Sequence, residues 1–309
     1  MRPVEPILSS VRPHFEADPD LTRILIATAR TFPDALGGSA LAGALDAPIL
    51  LTEPAVLSEA VVGEIERLGA TRIVVLGGEG AVSVDAYAQL AGLVGADSIE
   101  RIAGATRYET AELIAARTIE ELGEGWDGTA FVATGEAFPD ALGASPLAAA
   151  KGWPVYLVHP NSAMHGALVA TMEADGVTHA LILGGDGVVP ETLETALGTA
   201  FGETEVDRLA GANRYTTAVA VATYGVEEAG LAWDRLAIAT GEDFPDALAG
   251  GALQGRSGSV MLLVHPAALQ DGIASVLGAN KASIAEVRFL GGTGTVPQAV
   301  RDAVFQALQ

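Results

Sequence analysis

The chain has 309 residues, half of them hydrophobic and 5 % aromatic, with 37 glycines, no cysteine, and 17 Lys and Arg against 39 Asp and Glu for a formal net charge of −22. A chain this apolar buries enough surface to offset its conformational entropy, which excludes disorder. The lack of cysteine excludes disulfides, thiolate metal sites and cysteine nucleophiles, and a polyanionic field repels phosphate and so disfavours non-specific nucleic-acid binding.

Residues 1–20 carry Pro3, Glu5, Pro6, Pro13 and Pro19 without an apolar signal core, so no signal peptide is expected there. No apolar run approaches the roughly 18–20 residues that span a bilayer. Past this segment, Ile24–Ala27 reads as a buried strand, Phe32-Pro33-Asp34-Ala35-Leu36 as a turn into a helix, and Ile49-Leu50-Leu51 as a second strand. Ser58–Leu68 follows as a helix with Val61, Val62, Ile65 and Leu68 on one face and Gly69 at its C-cap. Ile73–Leu76 is a third strand ending in Gly77-Gly78, and a helix with Ala86, Tyr87, Leu90 and Leu93 on one side comes next.

The same succession then repeats. Phe-Pro-Asp-Ala-Leu recurs at Phe138–Leu142 and Phe244–Leu248, and Leu-Gly-Gly at Leu183–Gly185 and Leu290–Gly292. Arg-x-Ala-Gly-Ala-x-Arg-Tyr-x-Thr-Ala occurs at Arg101–Ala111 and Arg208–Ala218. Constant phase among independent motifs means tandem copies, and short apolar runs alternating with helices mean parallel strands with crossover helices. The chain is therefore α/β, with repeats expected over 1–100, 101–207 and 208–309. The first lacks the Arg-Tyr strand–helix segment, in whose place stand residues 1–20, with Ile7, Leu8 and Val11 as expected anchors.

Each motif admits a plain reading. Pro at the first helical position and Asp in the first turn suit a helix start, so Asp34, Asp140 and Asp246 are either structural or polar contacts at the strand ends, where open α/β sheets bind ligands. Gly77-Gly78, Gly184-Gly185 and Gly291-Gly292 are either tight turns needing positive φ or amide cradles for an anion. Thr106 and Asn213 are expected N-caps, with Glu109 completing a capping box. That places Arg107 and Arg214 in a first helical turn, electrostatically uphill. The compensating partner is either an inter-unit carboxylate, such as the Asp of a Phe-Pro-Asp turn, or an anionic ligand. Tyr108 and Tyr215 either pack across an interface or stack on a sugar. No residue set has the spacing of a metal site or a catalytic constellation, so neither cofactor nor metal is expected. A repeated binding module, an α/β enzyme acting on a nucleotide or sugar phosphate, and a structural self-assembling component remain the readings in play; near-equal copies favour binding, because avidity rewards repeated weak sites.

At these residues the chain resembles the bacterial cell-wall-binding repeat of the second type, known from clostridial surface-layer proteins and common in actinobacteria. Thr134-Gly135-Glu136 and Thr240-Gly241-Glu242 before their Phe-Pro-Asp turns, with Ile49-Leu50-Leu51 in the first unit, complete the resemblance over residues 21–309. It implies three parallel-sheet units set as a pseudo-threefold trimer within one chain. It also implies non-catalytic, extracellular anchoring to an anionic wall polymer, teichoic-acid-like or a secondary wall polysaccharide. The first unit departs from the pattern with Thr28-Ala29-Arg30, and the chain reads as a fragment or mature form. Close packing of the units is expected through Gly37–Leu45, Gly143–Ala150 and Ala249–Leu253, whose small residues let backbones approach.

Overall fold

The computed structural model describes residues 23–137 and 139–309; the expectations for residues 1–20 and for Phe138 lie outside them. The first unit holds strands β1 (Arg23–Thr28), β2 (Ile49–Thr52) and β3 (Arg72–Leu76), with helices α1 (Pro33–Leu36), α2 (Gly38–Ala44), α3 (Glu59–Leu68) and α4 (Val84–Val94) between and after them. A fourth strand, β4 (Ile99–Ile102), precedes helix α5 (Arg107–Leu122). The second unit repeats this as β5 (Thr129–Thr134), α6 (Pro139–Leu142), α7 (Ser145–Lys151), β6 (Val155–Val158), α8 (His165–Ala174), β7 (His179–Leu183), α9 (Glu191–Phe201), β8 (Val206–Leu209) and α10 (Arg214–Glu227). The third holds β9 (Ala232–Thr240), α11 (Pro245–Arg256), β10 (Ser259–Val264), α12 (Asp271–Asn280), β11 (Glu286–Phe289) and α13 (Gln298–Ala307).

All strand pairs are parallel, in the orders β2-β1-β3-β4, β6-β5-β7-β8 and β10-β9-β11. Ile24 to Ala27 are fully buried, because each sheet is covered on both faces. Leu25 and Ala27 point inward to a core shared by all three units, whereas Ile24 and Ile26 face the outer layer of the first unit, which Leu253 of the third also joins. Burying each such Leu or Ile contributes about 1.5–3 kcal/mol. The sequence pattern misplaced one residue of the outer layer: Leu93 is exposed, while Ala86 and Leu90 of the same helix are buried.

The inner helices α2, α7 and α11 touch one another pairwise, which sets the units around a pseudo-threefold axis. Small residues make this contact feasible. A Cβ on Gly43 would collide with the Ala149 backbone, and one on Gly255 would stand 2.6 Å from Ala149 Cβ. Ser39 and Ser145 hold equivalent places on two of these helices, their buried hydroxyls without a partner among the described residues; the third has Gly251, whose missing side chain makes room for Ser145. At the Phe-Pro-Asp end, Phe32 and Phe244 meet edge to face with ring centroids 6.3 Å apart, so this phenylalanine packs between units.

The Arg-Tyr segment stitches neighbours together. Its strand β4 pairs with β3 of the first unit, with Arg101 opposite Val75. Its helix α5 packs on β6 of the second unit and on α1 and α2 of the first. β8 and α10 do the same between the second and third units.

Candidate functional site

The start of α5 stands where the first and second units meet. Thr106 caps it by accepting from the Glu109 amide at 3.2 Å. The Glu109 carboxylate returns to the Ala105 amide at 2.7 Å instead of the expected Thr106, closing the box one residue early. In α10 the box is complete between Asn213 and Thr216. Thr110 and Thr217 each accept from the amide of a preceding glycine, Gly104 and Gly211, at 3.0 and 3.1 Å. These contacts fix where Arg107, Tyr108, Arg214 and Tyr215 emerge.

Arg107 donates from Nη1 to the Gly135 carbonyl at 2.7 Å, and Arg214 to the Gly241 carbonyl at the same distance. Tyr108 donates to Glu136 at 2.7 Å and Tyr215 to Glu242 at 2.5 Å. The rings lie on Gly135 and Gly241; a Cβ at Gly241 would fall 2.7 Å from Tyr215 Cε1. Thr-Gly-Glu is thus the receptor for Arg-Tyr within one sequence repeat, an assignment the site reading from sequence missed. The signal was present: the first unit lacks both motifs together, with Ala29-Arg30 where the others have Gly-Glu.

The two arginines differ. Arg214 has Glu242 at 3.5 Å. Arg107 is exposed and has no carboxylate within 4 Å among the described residues. Each faces the Asp of the preceding unit. Burial pushes the Asp34 carboxyl above the usual carboxylate range and the Arg107 charge pulls it partly back. Burial likewise raises Asp140, opposed by a hydrogen bond from Thr217 and by the charge of Arg214.

Asp34, Asp140 and Asp246 each press their carboxylates on the first glycine of Leu-Gly-Gly in their own unit. Gly77, Gly184 and Gly291 have φ of 95°, 97° and 96°, and a Cβ at Gly184 would stand 2.7 Å from Asp140 Oδ2. Glycine is required there on both counts. Gly78, Gly185 and Gly292 face open space. The carbonyls of this loop are held by arginine: Arg101 donates to Gly77 and Val82 at 2.7 and 2.8 Å, and Arg208 to Gly184 and Val189 at 2.8 and 3.0 Å.

Near Tyr108, at the C-terminal ends of β5, β6 and β7, lies a cavity of about 400 Å3 whose lining includes Glu136, His159, His165 and Asp186. The His159 ring packs tilted against Tyr108 with centroids 4.5 Å apart, and His265 stands 6.1 Å from Tyr215 in the third unit. No group of three or more His, Asp or Glu side chains could hold a metal ion among the described residues.

Comparison with known proteins agrees with this layout. A family model described as cell wall binding domain 2 matches residues 10–87, 101–194 and 208–301. Two Bacillus subtilis (strain 168) proteins are each 26 % identical: N-acetylmuramoyl-L-alanine amidase LytC over 253 residues, 82 % of this chain and 47 % of its own, and an amidase enhancer over 281 residues, 91 % and 36 %. Two solved structures share the fold: Cwp8 from Clostridium difficile, with TM-score 0.81 and 23 % identity over 98 % of this chain and 49 % of its own, and Cwp6 from the same organism, with TM-score 0.82 and 21 % identity over 97 % and 46 %. The chain spans about half the length, or less, of these relatives.

Proposed function

The chain belongs to the cell wall binding domain 2 family, and from that premise we propose that it anchors a surface protein non-covalently to an anionic wall polysaccharide along the grooves between its units. A cell-wall-binding module needs no catalytic group, and nothing in this reading asks for one. Arg107, Tyr108 and Asp34 supply one groove, Arg214, Tyr215 and Asp140 the next, and Asp246 with the loops at Gly77-Gly78, Gly184-Gly185 and Gly291-Gly292 completes the set of contacts.

The observation that carries the reading is the state of Arg107. It stands uphill in a first helical turn, exposed at a unit boundary, with one nitrogen on a carbonyl and no carboxylate within 4 Å among the described residues. Its remaining donors suit bidentate capture of phosphate or carboxylate. The net charge of −22 opposes such a ligand at long range, so capture is local and salt-sensitive.

Co-sedimentation with purified cell walls, before and after extraction of their secondary polymers, tests the proposal. Arg107→Ala should weaken retention about tenfold or more, as loss of a charge-assisted contact of about 1.5–3 kcal/mol requires. Arg107→Ala with Arg214→Ala should weaken it far more and flatten its salt dependence. Retention on extracted walls, or a double variant that binds normally but melts lower, would sink the reading.

A further inference from the structure

The cavity at the strand ends of the second unit differs in chemistry from the arginine groove beside it. Its lining comes from the loops after β5, β6 and β7, and it holds neither Lys nor Arg. It sits where the connections from β5 and β7 leave in opposite directions, the crevice in which parallel α/β sheets take ligands. Its volume of about 400 Å3 falls in the range of small-ligand sites, about 300–1,000 Å3.

The polar atoms there are mostly acceptors. Glu136 and Asp186 bring carboxylates; Glu136 accepts from Tyr108, and Asp186 stands 3.4 Å from Arg208. His165 is 7 % exposed. Its Nε2 lies 2.9 Å from the His159 carbonyl oxygen, which can only accept, so Nε2 carries the proton. The other nitrogen, Nδ1, is then an acceptor in the neutral ring, and it has no protein partner among the described residues. His159 Nδ1 accepts from the Asn161 amide at 2.9 Å, leaving its Nε2 as donor. Val158, Pro160, Val188 and Pro190 form apolar walls.

An acceptor-rich pocket with apolar walls fits a ring rich in donors. Ammonium offers three donors and no acceptor, and a chain of net charge −22 draws cations to its clefts. We propose that this cavity binds a sugar residue bearing a free amino group, its ammonium drawn by the carboxylates of Glu136 and Asp186 and its ring taken by His165 Nδ1 and the apolar walls. This rests on the glycan-binding reading above and deepens it: the polymer would carry an anionic group for Arg107 and an amine for the cavity beside it. The feature is specific to the second unit. The first unit has Arg30 and Glu53 in the places of Glu136 and His159, and the third has Thr293 in the place of Asp186.

The test is titration of the full chain with D-glucosamine, N-acetyl-D-glucosamine, D-glucose and methylammonium, followed by amide NMR shifts. Glucosamine should shift residues 134–137, 158–165 and 186–190 and bind at least tenfold more tightly than the other three. Asp186→Asn and His165→Phe should each weaken it several-fold, and Val188→Trp, filling the mouth from a surface position, should abolish it without lowering the melting temperature. Equal binding of N-acetylglucosamine or glucose would overturn the ammonium role, equal binding of methylammonium the sugar, and shifts elsewhere the site. Wall co-sedimentation run in parallel separates the two readings. Intact wall retention without glucosamine binding overturns this inference alone, and glucosamine binding without wall retention overturns the anchoring reading.

Discussion

In the second unit an arginine of the next repeat clamps the Gly-Gly loop, whereas in the third the unit's own helix supplies the arginine. In the first and second sheets the fourth strand comes from the opening of the next repeat, and its arginine, Arg101 or Arg208, clamps the Gly-Gly loop. Arg101 lies over the Tyr87 ring at 4.8 Å, and Arg208 pairs with Glu194 at 2.7 Å. Tyr87 and Glu194 hold the same place on α4 and α9. In the third unit, where no fourth strand flanks β11 among the described residues, that place on α13 is Arg301. It donates to Gly291 at 2.8 Å and Val296 at 2.9 Å, the same pair of carbonyls, and lies over Phe289 at 4.6 Å. The loop therefore needs a guanidinium, and the fold accepts it from either side.

The largest expected effect tests that equivalence. Arg301→Ala removes both donors from a sheet with no fourth strand beside it among the described residues, leaving two carbonyls without their partner. At about 1.5–3 kcal/mol per contact to a charged group, partly recovered by water, a loss of about 3 kcal/mol is expected in denaturant unfolding. Arg101→Ala should cost less, about 2 kcal/mol, because the β4 backbone pairing survives. Arg301→Lys should recover less than half of the loss, since an ammonium cannot span both acceptors as a fork does. An equal or greater loss at Arg101 would break the comparison.

A smaller effect concerns the tyrosines that lock neighbouring motifs. Burial first, then the hydrogen bond and charge of Glu136, pushes the Tyr108 hydroxyl up to about 12, and burial with Glu242 raises Tyr215 too. A folded pKa above the unfolded value of about 10 means the unfolded chain loses its proton first. The contribution to stability is complete below pH 10 and is lost as pH rises toward 12. Tyrosinate absorbance should show these phenols titrating late, and Glu136→Gln should bring Tyr108 down while leaving Tyr215 in place. A Tyr108 that does not move would mean Glu136 adds nothing to burial.

The repeat, the parallel sheets and the helix starts were legible because their causes are local: Pro33 needs no amide donor at a helix start, and Ser58 or Thr106 caps its own helix. The small-residue stretch around Gly43 was legible too, since only a close backbone approach explains it. The partners of Arg107 were not. Spacing places a side chain on a turn but does not say that Gly135, 28 residues on, brings its carbonyl there. Nor could it show Arg301 standing in for a strand arginine, because that identity depends on which helix face meets the loop. The cavity needed three strand ends brought together, and only the sheet order does that.

The smallest effect belongs to the first unit, where no Arg-Tyr motif precedes the strand. Arg30 and Glu53, in the places of Glu136 and His159, pair with each other at 2.5 Å. Here too an arginine of the unit itself fills a place that differs from its sisters, but at the surface. Arg30 is exposed and Glu53 partly so, so the pair should stabilise the fold by about 0–1 kcal/mol. Its larger consequence is for binding: a guanidinium already neutralised by Glu53 is a poor anion site. Glu53→Gln should therefore leave unfolding nearly unchanged while freeing Arg30, and wall retention should rise modestly and become more salt-sensitive. Unchanged retention would mean that the boundary between the third and first units takes no part in binding.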